Sequence, residues 1–305
     1  MINQRKVFFY DINASGIIDK FRQGPKISDA LKFIYKNSNG LALYETQDSK
    51  SFFVKETDIK TGISAIAASR LYKNAGILTP PVEFVAKKDK YTMQTLQQNI
   101  EGINGLETIL ADDDIEYKKI QLQAFGKYKW QLFYDERLIN TLLKFMTPEC
   151  FAQFQNMYLV DELRTDGDKH LKNYFFYKQK ESSLYEGIIA VDLDLMQIYN
   201  YCGTKKADFT NFLVYPYQTA LPQQLCDSVS YKQRMADMRQ LVQDDVLSIS
   251  NIKTIKSTLE FDYPKEISKT CKEAKLGYAE RKEIVKPVEG LWEYNRETIG
   301  RDLGL

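Results

Sequence analysis

The predominant hydrophobic pattern of the chain changes near residue 100, and this change limits the folds that it can adopt. Up to about residue 100, short apolar runs alternate with polar turns, as is typical of β-strands joined by hairpins. From about residue 105, apolar residues recur at helical spacing instead. The pattern predicts an α+β protein, with a small β-rich part over residues 1–96 and a larger helical part over residues 97–305.

In the β-rich part, the sequence predicts five strands and one helix. The segment Lys36–Gly40 is a strong turn signal because Asn and Gly tolerate positive φ. A helical face follows the third strand and ends at Gly76, a residue suited to stop a helix. The predicted strands cover residues 31–35, 41–45, 51–55, 82–85 and 91–96, and the predicted helix covers residues 63–75.

In the second part, the sequence predicts helices interrupted by two short strands. Thr147 followed by Pro148 is typical of a helix start, with a capping residue and then proline at the first helical position. The two strands are predicted over residues 174–177 and 187–191. Further helices are predicted to begin near residue 115, over residues 135–145 and from about residue 231 onward.

Composition excludes several classes of function. With 42 Lys and Arg against 41 Asp and Glu, the net charge is +1, which gives no general attraction to nucleic acid, so no nucleic-acid partner is expected. The single histidine, His170, excludes any metal site that needs two His ligands. The four cysteines form no CxxC pair, which favours a reducing compartment over a disulfide scaffold or zinc knuckle.

The sequence also bears on the location of the chain. No apolar run reaches the ~18 residues of a transmembrane segment. The apolar run near the start of the sequence stops at Asp11 and is too short for the core of a signal peptide. We therefore expect a cytoplasmic location, or delivery to a host cytosol without a cleaved signal peptide.

One polar segment, Arg164–Asn173, contains the residues that suit phosphoryl transfer. Asp168 can orient an attacking hydroxyl and accept its proton. Asn173 and Asp192, which ends an apolar strand, offer the hard oxygen ligands that Mg²⁺ prefers. Lys55, at the end of an apolar strand upstream, is a candidate cation for the nucleotide phosphates.

The run Asp-Lys-His-Leu-Lys-Asn over residues 168–173 resembles the catalytic loop of the protein-kinase-like superfamily. It is most similar to the branch of the HipA toxin kinases and phosphoinositide kinases, where His stands two residues and Asn five residues after the catalytic Asp. Here these residues are Asp168, His170 and Asn173. The resemblance implies a bilobal protein-kinase-like fold across about residues 27–200, with a supporting role for His170.

The same resemblance implies a binding site for ATP with Mg²⁺ or Mn²⁺. Val191–Asp194 resembles the metal-binding segment of the superfamily, with Asp192 as the better match, and Lys55 resembles the lysine that contacts ATP. The nucleotide-binding residues that it implies are Lys55, the phosphate loop Ser38, Asn39 and Gly40, and the adenine-contacting segment Met93, Gln94, Thr95 and Leu96.

These assignments lead to an ATP-dependent phosphotransferase, first of all a protein Ser/Thr kinase of HipA-like type acting on a protein substrate. The alternatives are a phosphoinositide or inositol-phosphate kinase that takes an anionic phosphate ligand, nucleotide transfer to protein, and a pseudokinase that binds without turnover. The glycine-poor phosphate loop and the absence of acidic residues from 59 to 82 motivate the last alternative. Asp168 and Asn173 can also be read as turn formers, and Lys55 as an edge-strand lysine. The atypical kinase pattern in a compact chain further suggests a bacterial effector that acts in a host cell.

Overall fold

The structure of the chain is a computed structural model. The structure describes residues 17–22, 31–38, 40–100, 104–105, 146–150, 153, 157, 160, 163–164, 174–177, 182–193 and 249–303.

A five-stranded antiparallel sheet forms the first part of the chain, in the strand order β1-β2-β3-β5-β4. Hairpins connect the first three strands, as the turn signals predict. The helix between β3 and β4 lets β5 lie between them. The bounds are α1 (Ile17–Arg22), β1 (Leu31–Lys36), β2 (Leu41–Thr46), β3 (Ser51–Asp58), α2 (Ile59–Asn74), β4 (Val82–Lys87) and β5 (Thr92–Gln98).

The central strand β3 has two different faces. Phe52 and Val54 are buried and pack in a core cluster with Val85, Leu96 and α1. Because side chains alternate along a strand, Phe53, Lys55 and Thr57 point to the opposite face, where they line a cleft. The strand pattern thus places a lysine in a cleft wall while its neighbours stabilise the sheet.

Helix α2 is buried around most of its circumference. Asp58 caps its start by accepting a hydrogen bond from the backbone N–H of Thr61 at 3.0 Å, and Gly76 follows its end with φ of +72°. One face packs on the sheet, while a helix from the end of the chain covers another. The sequence predicted only the face of Ile63, Ile66 and Leu71, since the covering helix lies far along the chain.

The described residues also form a second sheet, which has three strands. It contains β6 (Asn104–Gly105), β7 (Tyr174–Tyr177) and β8 (Gly187–Ala190), paired in that order and antiparallel. The backbone N–H of Ala190 donates to the carbonyl of Leu78 at 2.8 Å, which ties β8 to the segment before β4. This bond fixes where the chain leaves β8 relative to the first sheet.

Between β6 and β7, the structure describes helical residues at positions 148–150, 153, 157, 160, 163 and 164. The N–H of Cys150 donates to the hydroxyl of Thr147 at 3.1 Å, as expected of the predicted helix cap. Met157, Val160 and Arg164 are buried, so one face of this helix is directed into the protein.

Three helices follow in the last part of the described chain: α3 (Ile249–Glu260), α4 (Tyr263–Glu273) and α5 (Tyr278–Leu303). Asp262 caps α4 by accepting from the N–H of Lys265 at 3.0 Å. Helix α4 packs on both α5 and α2, and the rings of Tyr263 and Trp292 lie 5.2 Å apart. Within the described residues, none of the helices has the length and apolar character needed to span a bilayer.

The α+β class with a β-rich first part and a helical later part is confirmed. All seven predicted strands are present, most of them one to three residues longer than predicted. The predicted helices near residue 115 and over 135–145 lie outside the described residues, as does the chain from 231 to 248.

Candidate functional site

A cleft of about 470 Å³ lies between the two sheets. This volume is within the range of small-molecule binding sites. One wall comes from the hairpin of β1 and β2, from β3 and from β5, and the opposite wall from β7 and the residues after β8. Its lining residues are Asn37, Leu41, Phe53, Lys55, Thr57, Ala65, Val82, Thr95, Gln97, Gln98, Asn99, Ile100, Phe175, Val191, Asp192 and Leu193.

Lys55 occupies a central position in the upper wall. Strand register pairs it with Leu41 on β2 and with Thr95 on β5, and all three residues line the cleft. The lysine therefore lies on a strand with hydrogen-bonded neighbours on both sides, not on an edge. Its Nζ atom lies 3.7 Å from Oδ1 of Asp192, and the two side chains are 37% and 41% exposed.

Asp192 reaches this position because the chain turns sharply after β8. Two residues earlier, Ala190 is held by its hydrogen bond to Leu78. Asp192 itself has φ of +54°, a left-handed conformation that Asp tolerates better than most residues. The turn directs its carboxylate toward the first sheet and Lys55.

The hairpin between β1 and β2 covers one end of the cleft. Asn37 lines it, and its side-chain oxygen accepts from the N–H of Leu41 at 2.9 Å. Gly40 has φ of +78°, which explains the glycine at this turn, and its carbonyl accepts from the N–H of Glu56 at 3.3 Å. Ser38 is exposed, whereas Asn39 lies outside the described residues.

The predicted adenine-contacting segment is only partly in the cleft wall. Thr95 lines the cleft, whereas Met93, Gln94 and Leu96 do not. Leu96 belongs to the core cluster, and Met93 is buried against Gly62 of α2. Strand β5 continues to Gln98, so the cleft-lining residues extend beyond the predicted segment, over positions 97–100.

Helix α2 provides no acidic partner for Lys55, since residues 59 to 82 contain none. Since α2 has no such residue, Glu45, Glu56 and Glu83 in the first part of the chain are the candidate partners to examine. Glu56 forms its ion pair with Lys36 at 3.8 Å, and Glu83 with Arg70 at 3.3 Å. Glu45 lies on β2 opposite Lys32 and Ser51. Among the described residues, Asp192 is a carboxylate that does pair with Lys55, at 3.7 Å.

Asp168, His170 and Asn173 lie outside the described residues. The described chain resumes at Tyr174, the residue after Asn173, where β7 begins. Among the described residues, no group of three His, Cys, Asp or Glu side chains is arranged to hold a metal ion. Asp192 is thus the described member of the predicted metal pair.

Phe175 and Arg164 are among the residues in or near the cleft that sequence reasoning missed. Phe175 supplies an apolar wall opposite the first sheet. Arg164 is completely buried, and its guanidinium donates to the carbonyl of Leu193 at 2.6 Å. Phe175 lies two residues after the segment 168–173, and this position could have identified it as a residue near the site. Nothing in the sequence distinguishes Arg164 from an arginine on the protein surface.

Two of the solved structures that match the chain align over 90% of it. The HipA protein of Shewanella oneidensis, solved with HipB and operator DNA, aligns with a TM-score of 0.52 and 16% identity over 90% of this chain and 66% of its own. The proinflammatory kinase CtkA of Helicobacter pylori aligns with a TM-score of 0.55 and 12% identity over 90% and 95%. No family profile and no curated protein sequence matches the chain.

At these identities the likeness concerns the fold, and function has to be argued from the site. The chain spans about two thirds of the HipA chain and nearly all of CtkA. Since both alignments cover 90% of this chain, the likeness extends over its antiparallel first part and its helical later part. The chain has an atypical protein-kinase-like fold.

Proposed function

We propose that this protein is an ATP- and divalent-metal-dependent phosphotransferase whose acceptor is a Ser or Thr hydroxyl of a protein. The observation that carries the proposal is the meeting of Lys55 and Asp192 at 3.7 Å in the wall of one cleft. A cation for the nucleotide phosphates and a carboxylate for the metal are the two charges that phosphoryl transfer needs side by side.

The shape of the cleft supports the same assignment. Apolar side chains of Leu41, Val82 and Ile100 contribute to its lining together with Phe175 from the opposite wall. Such walls suit a planar base, and the polar groups of Lys55 and Asp192 suit its phosphates. A nucleoside triphosphate therefore fits the chemistry of the cleft.

The donor set fits a hard divalent cation. Asp192 presents a partly exposed carboxylate to the cleft, and oxygen is the ligand that Mg²⁺ and Mn²⁺ prefer. Tyr174, the residue after Asn173, pairs with Ala190, two residues before Asp192, which supports a shared site for Asn173 and Asp192. When bound, the metal neutralises charge on the transferring phosphoryl group.

The residues of the chain then have distinct tasks. Lys55 holds the α- and β-phosphates, while Asp168 orients the acceptor hydroxyl and takes its proton. The acceptor oxygen forms a bond to the γ-phosphorus as the bond from that phosphorus to the β,γ-bridging oxygen breaks, and ADP leaves. Positioning and electrostatics supply the acceleration without a covalent enzyme intermediate. His170 braces the loop that carries Asp168.

The choice of a protein acceptor rests on the HipA-like catalytic-loop motif and on the similarity to CtkA, which is described as a proinflammatory kinase. The experiment below also distinguishes three alternatives: a phosphoinositide acceptor, transfer of a nucleotide, and ATP binding without turnover.

The test measures transfer of label from ATP in the presence of Mg²⁺ or Mn²⁺ to the protein itself, to generic protein substrates and to phosphoinositides. We expect label from the γ position to reach Ser or Thr, and we expect Asp168→Ala and Asp192→Ala to abolish it. Glu260→Ala is the matched control, since Glu260 is an exposed carboxylate outside the cleft lining.

Each alternative gives a different result. Label from the α position alone indicates nucleotide transfer, and label only on lipid indicates a phosphoinositide kinase. ATP binding without any transfer indicates a binding module. If Asp192→Ala transfers label as fast as the wild type, the assignment of the site is wrong.

A further inference from the structure

Arg164 is the largest fully buried side chain among the described residues, with 0% exposure. Removing a guanidinium from water is costly unless hydrogen bonds and charge compensate for the lost hydration. An apolar residue of similar size would fill this space at no such cost. The presence of a buried arginine next to the cleft therefore indicates a task beyond packing.

The guanidinium of Arg164 connects three parts of the fold. One of its terminal nitrogens, Nη2, donates to the backbone carbonyl of Leu193 at 2.6 Å and lies 3.5 Å from the hydroxyl oxygen of Ser64 on α2. Its Cζ atom lies 5.8 Å from the ring centroid of Tyr72, also on α2, within the range of cation–π contact. Ser64, Tyr72 and Leu193 are all buried.

The contact with Leu193 bears directly on Asp192. Asp192 has a left-handed backbone conformation, with φ of +54°. Such a conformation is maintained only where contacts with neighbouring residues hold it in place. On one side, Ala190 is held by its hydrogen bond to Leu78. On the other side, the carbonyl of Leu193 is held by Arg164. The conformation of Asp192 is thus fixed at both ends, and its carboxylate faces Lys55.

We propose that Arg164 is a positioning residue that sets the backbone at Leu193 and thereby aims the carboxylate of Asp192. It also couples that carboxylate to α2, a helix that has no acidic side chain for Lys55. In this chain, α2 acts on the site through Ser64, Tyr72 and the guanidinium of Arg164. The proposal rests on the proposed function, in which Asp192 is a metal ligand.

The test compares Arg164→Lys and Arg164→Met with the wild-type chain. Lysine keeps the charge but lacks the planar guanidinium that contacts both the carbonyl of Leu193 and the ring of Tyr72 on α2. We expect kcat to fall at least tenfold in both variants, because misplacing a reacting group by about 1 Å costs up to ~10²-fold. We also expect the Mn²⁺ concentration for half-maximal activity to rise several-fold, while binding of a non-hydrolysable ATP analogue without metal stays unchanged.

A second readout does not depend on activity. Hydrogen exchange of the peptide covering residues 188–193 in the metal-free protein should become faster in both variants, while exchange in β2 and β3 stays at the wild-type rate. Where an Arg164 variant fails to fold, Tyr72→Leu takes its place, since it removes the aromatic face but keeps apolar bulk. It should show the same changes with smaller amplitude.

The outcomes separate the two proposals. If the wild type transfers no γ-label and Asp192→Ala changes nothing, the proposed function fails. If the wild type transfers and Asp192→Ala does not, yet Arg164→Lys keeps kcat, Mn²⁺ dependence and hydrogen exchange within twofold, Arg164 only fills space and the positioning role is overturned. A lower melting temperature with an unchanged Mn²⁺ dependence leads to the same conclusion.

Discussion

Lys55 and Asp192 meet at 3.7 Å, although Lys55 lies on β3 of the first sheet and Asp192 lies in the turn after β8, a strand of the second sheet. Both side chains are more than one third exposed, at 37% and 41%. Ion pairs with this exposure contribute about 0 to 1 kcal/mol to stability because water and salt screen them. The pairing is therefore better explained by function than by folding.

Replacing Lys55 should accordingly reduce activity without affecting folding. We expect Lys55→Met to lower kcat/KM for γ-phosphate transfer by about 10²- to 10³-fold, the usual effect of removing one preorganised electrostatic group. The free energy of unfolding, measured with urea, should change by less than about 1 kcal/mol.

Lys256→Met is the control for this prediction, because Lys256 is exposed on α3 and does not line the cleft. It should leave both quantities unchanged. If Lys55→Met transfers phosphate as fast as the wild type, Lys55 is not the cation that the proposed site needs.

The sequence predicted Lys55 and Asp192 because both signals are local. Each residue ends or interrupts an apolar strand, and the strand pattern itself shows which neighbours are buried. The cleft-lining residues over 97–100 were missed because the extent of β5 depends on its pairing with β3, through Phe52 and Gln98. Such a register is set by contacts between strands, so it cannot be predicted from the sequence of one strand alone.

Long-range contacts explain the other differences. The burial of α2 on more than one face requires α4, a helix that begins only at Tyr263. The sequence likewise assigns no role to Arg164, since a buried arginine and an exposed one look alike in sequence. Its partners Ser64 and Leu193 are distant along the chain in opposite directions.

Arg70 is predicted to be the main electrostatic link between α2 and the last helices. Its guanidinium contacts Glu266 at 2.6 Å, Glu273 at 2.8 Å and Glu83 at 3.3 Å. Although burial acts in the opposite direction, hydrogen bonds and charge from these carboxylates raise the pKa of Arg70 above its ordinary value. We expect Arg70→Met to lower the free energy of unfolding by about 2–4 kcal/mol, because it leaves three carboxylates together without their cation.

Lys60→Met is the comparison for Arg70. Lys60 also links α2 to the last helix, through Glu283 at 2.7 Å, but the partner carboxylate is 69% exposed. Its replacement should cost less than about 1 kcal/mol. Equal losses in the two variants, measured by denaturant unfolding, would contradict the special role of Arg70.

Gly62 is predicted to be required by the close approach of α2 to β5. A Cβ atom at this position would lie 2.5 Å from the sulfur of Met93 and 2.8 Å from its Cγ. We expect Gly62→Val to destabilise the protein by about 1–3 kcal/mol through overpacking. Because Met93→Ala removes the opposing atoms, the double variant should be more stable than the sum of the single effects predicts.

Gly76→Ala provides the uncoupled control for this cycle. Gly76 has φ of +72°, and a Cβ there would meet nothing within 4 Å. Its replacement should cost about 1 kcal/mol from backbone conformation alone, and this cost should add to that of Met93→Ala without coupling. Strict additivity of Gly62→Val and Met93→Ala in thermal unfolding would show that the two residues do not clash.

The two described cysteines, Cys150 and Cys271, are predicted to be unreactive in the folded protein. Both are buried, and burial raises the pKa of each thiol to about 12. Because the thiolate is the reactive form, alkylation at pH 7.5 should be negligible until the chain unfolds. Mass spectrometry of the peptides after brief iodoacetamide treatment, with and without denaturant, measures this.

Glutathione in the same reaction shows that the reagent is active. Modification of Cys150 or Cys271 at a rate comparable to glutathione in native conditions would mean that the helix containing it opens on the time scale of labelling.

Asp89 is predicted to make the β4–β5 turn sensitive to acid. Its Oδ1 atom accepts from the backbone N–H groups of Tyr91 at 2.7 Å and Thr92 at 2.8 Å. These hydrogen bonds lower the pKa of the carboxyl below its ordinary value of 3.8. A carboxyl whose pKa is lower in the folded state stabilises the fold above the unfolded pKa, and this contribution is lost as the pH falls through the folded pKa.

Asp89→Asn should therefore lower the melting temperature at pH 7, because the amide oxygen still accepts but lacks the charge. The difference from the wild type should shrink below pH 3.8 and vanish once the wild-type carboxyl is protonated. Asp89→Ala separates charge from hydrogen bonding, since it has no side-chain acceptor at any pH and its deficit should persist in acid. An Asp89→Asn deficit that is the same at pH 7 and in acid would show that the charge of Asp89 does not stabilise the turn.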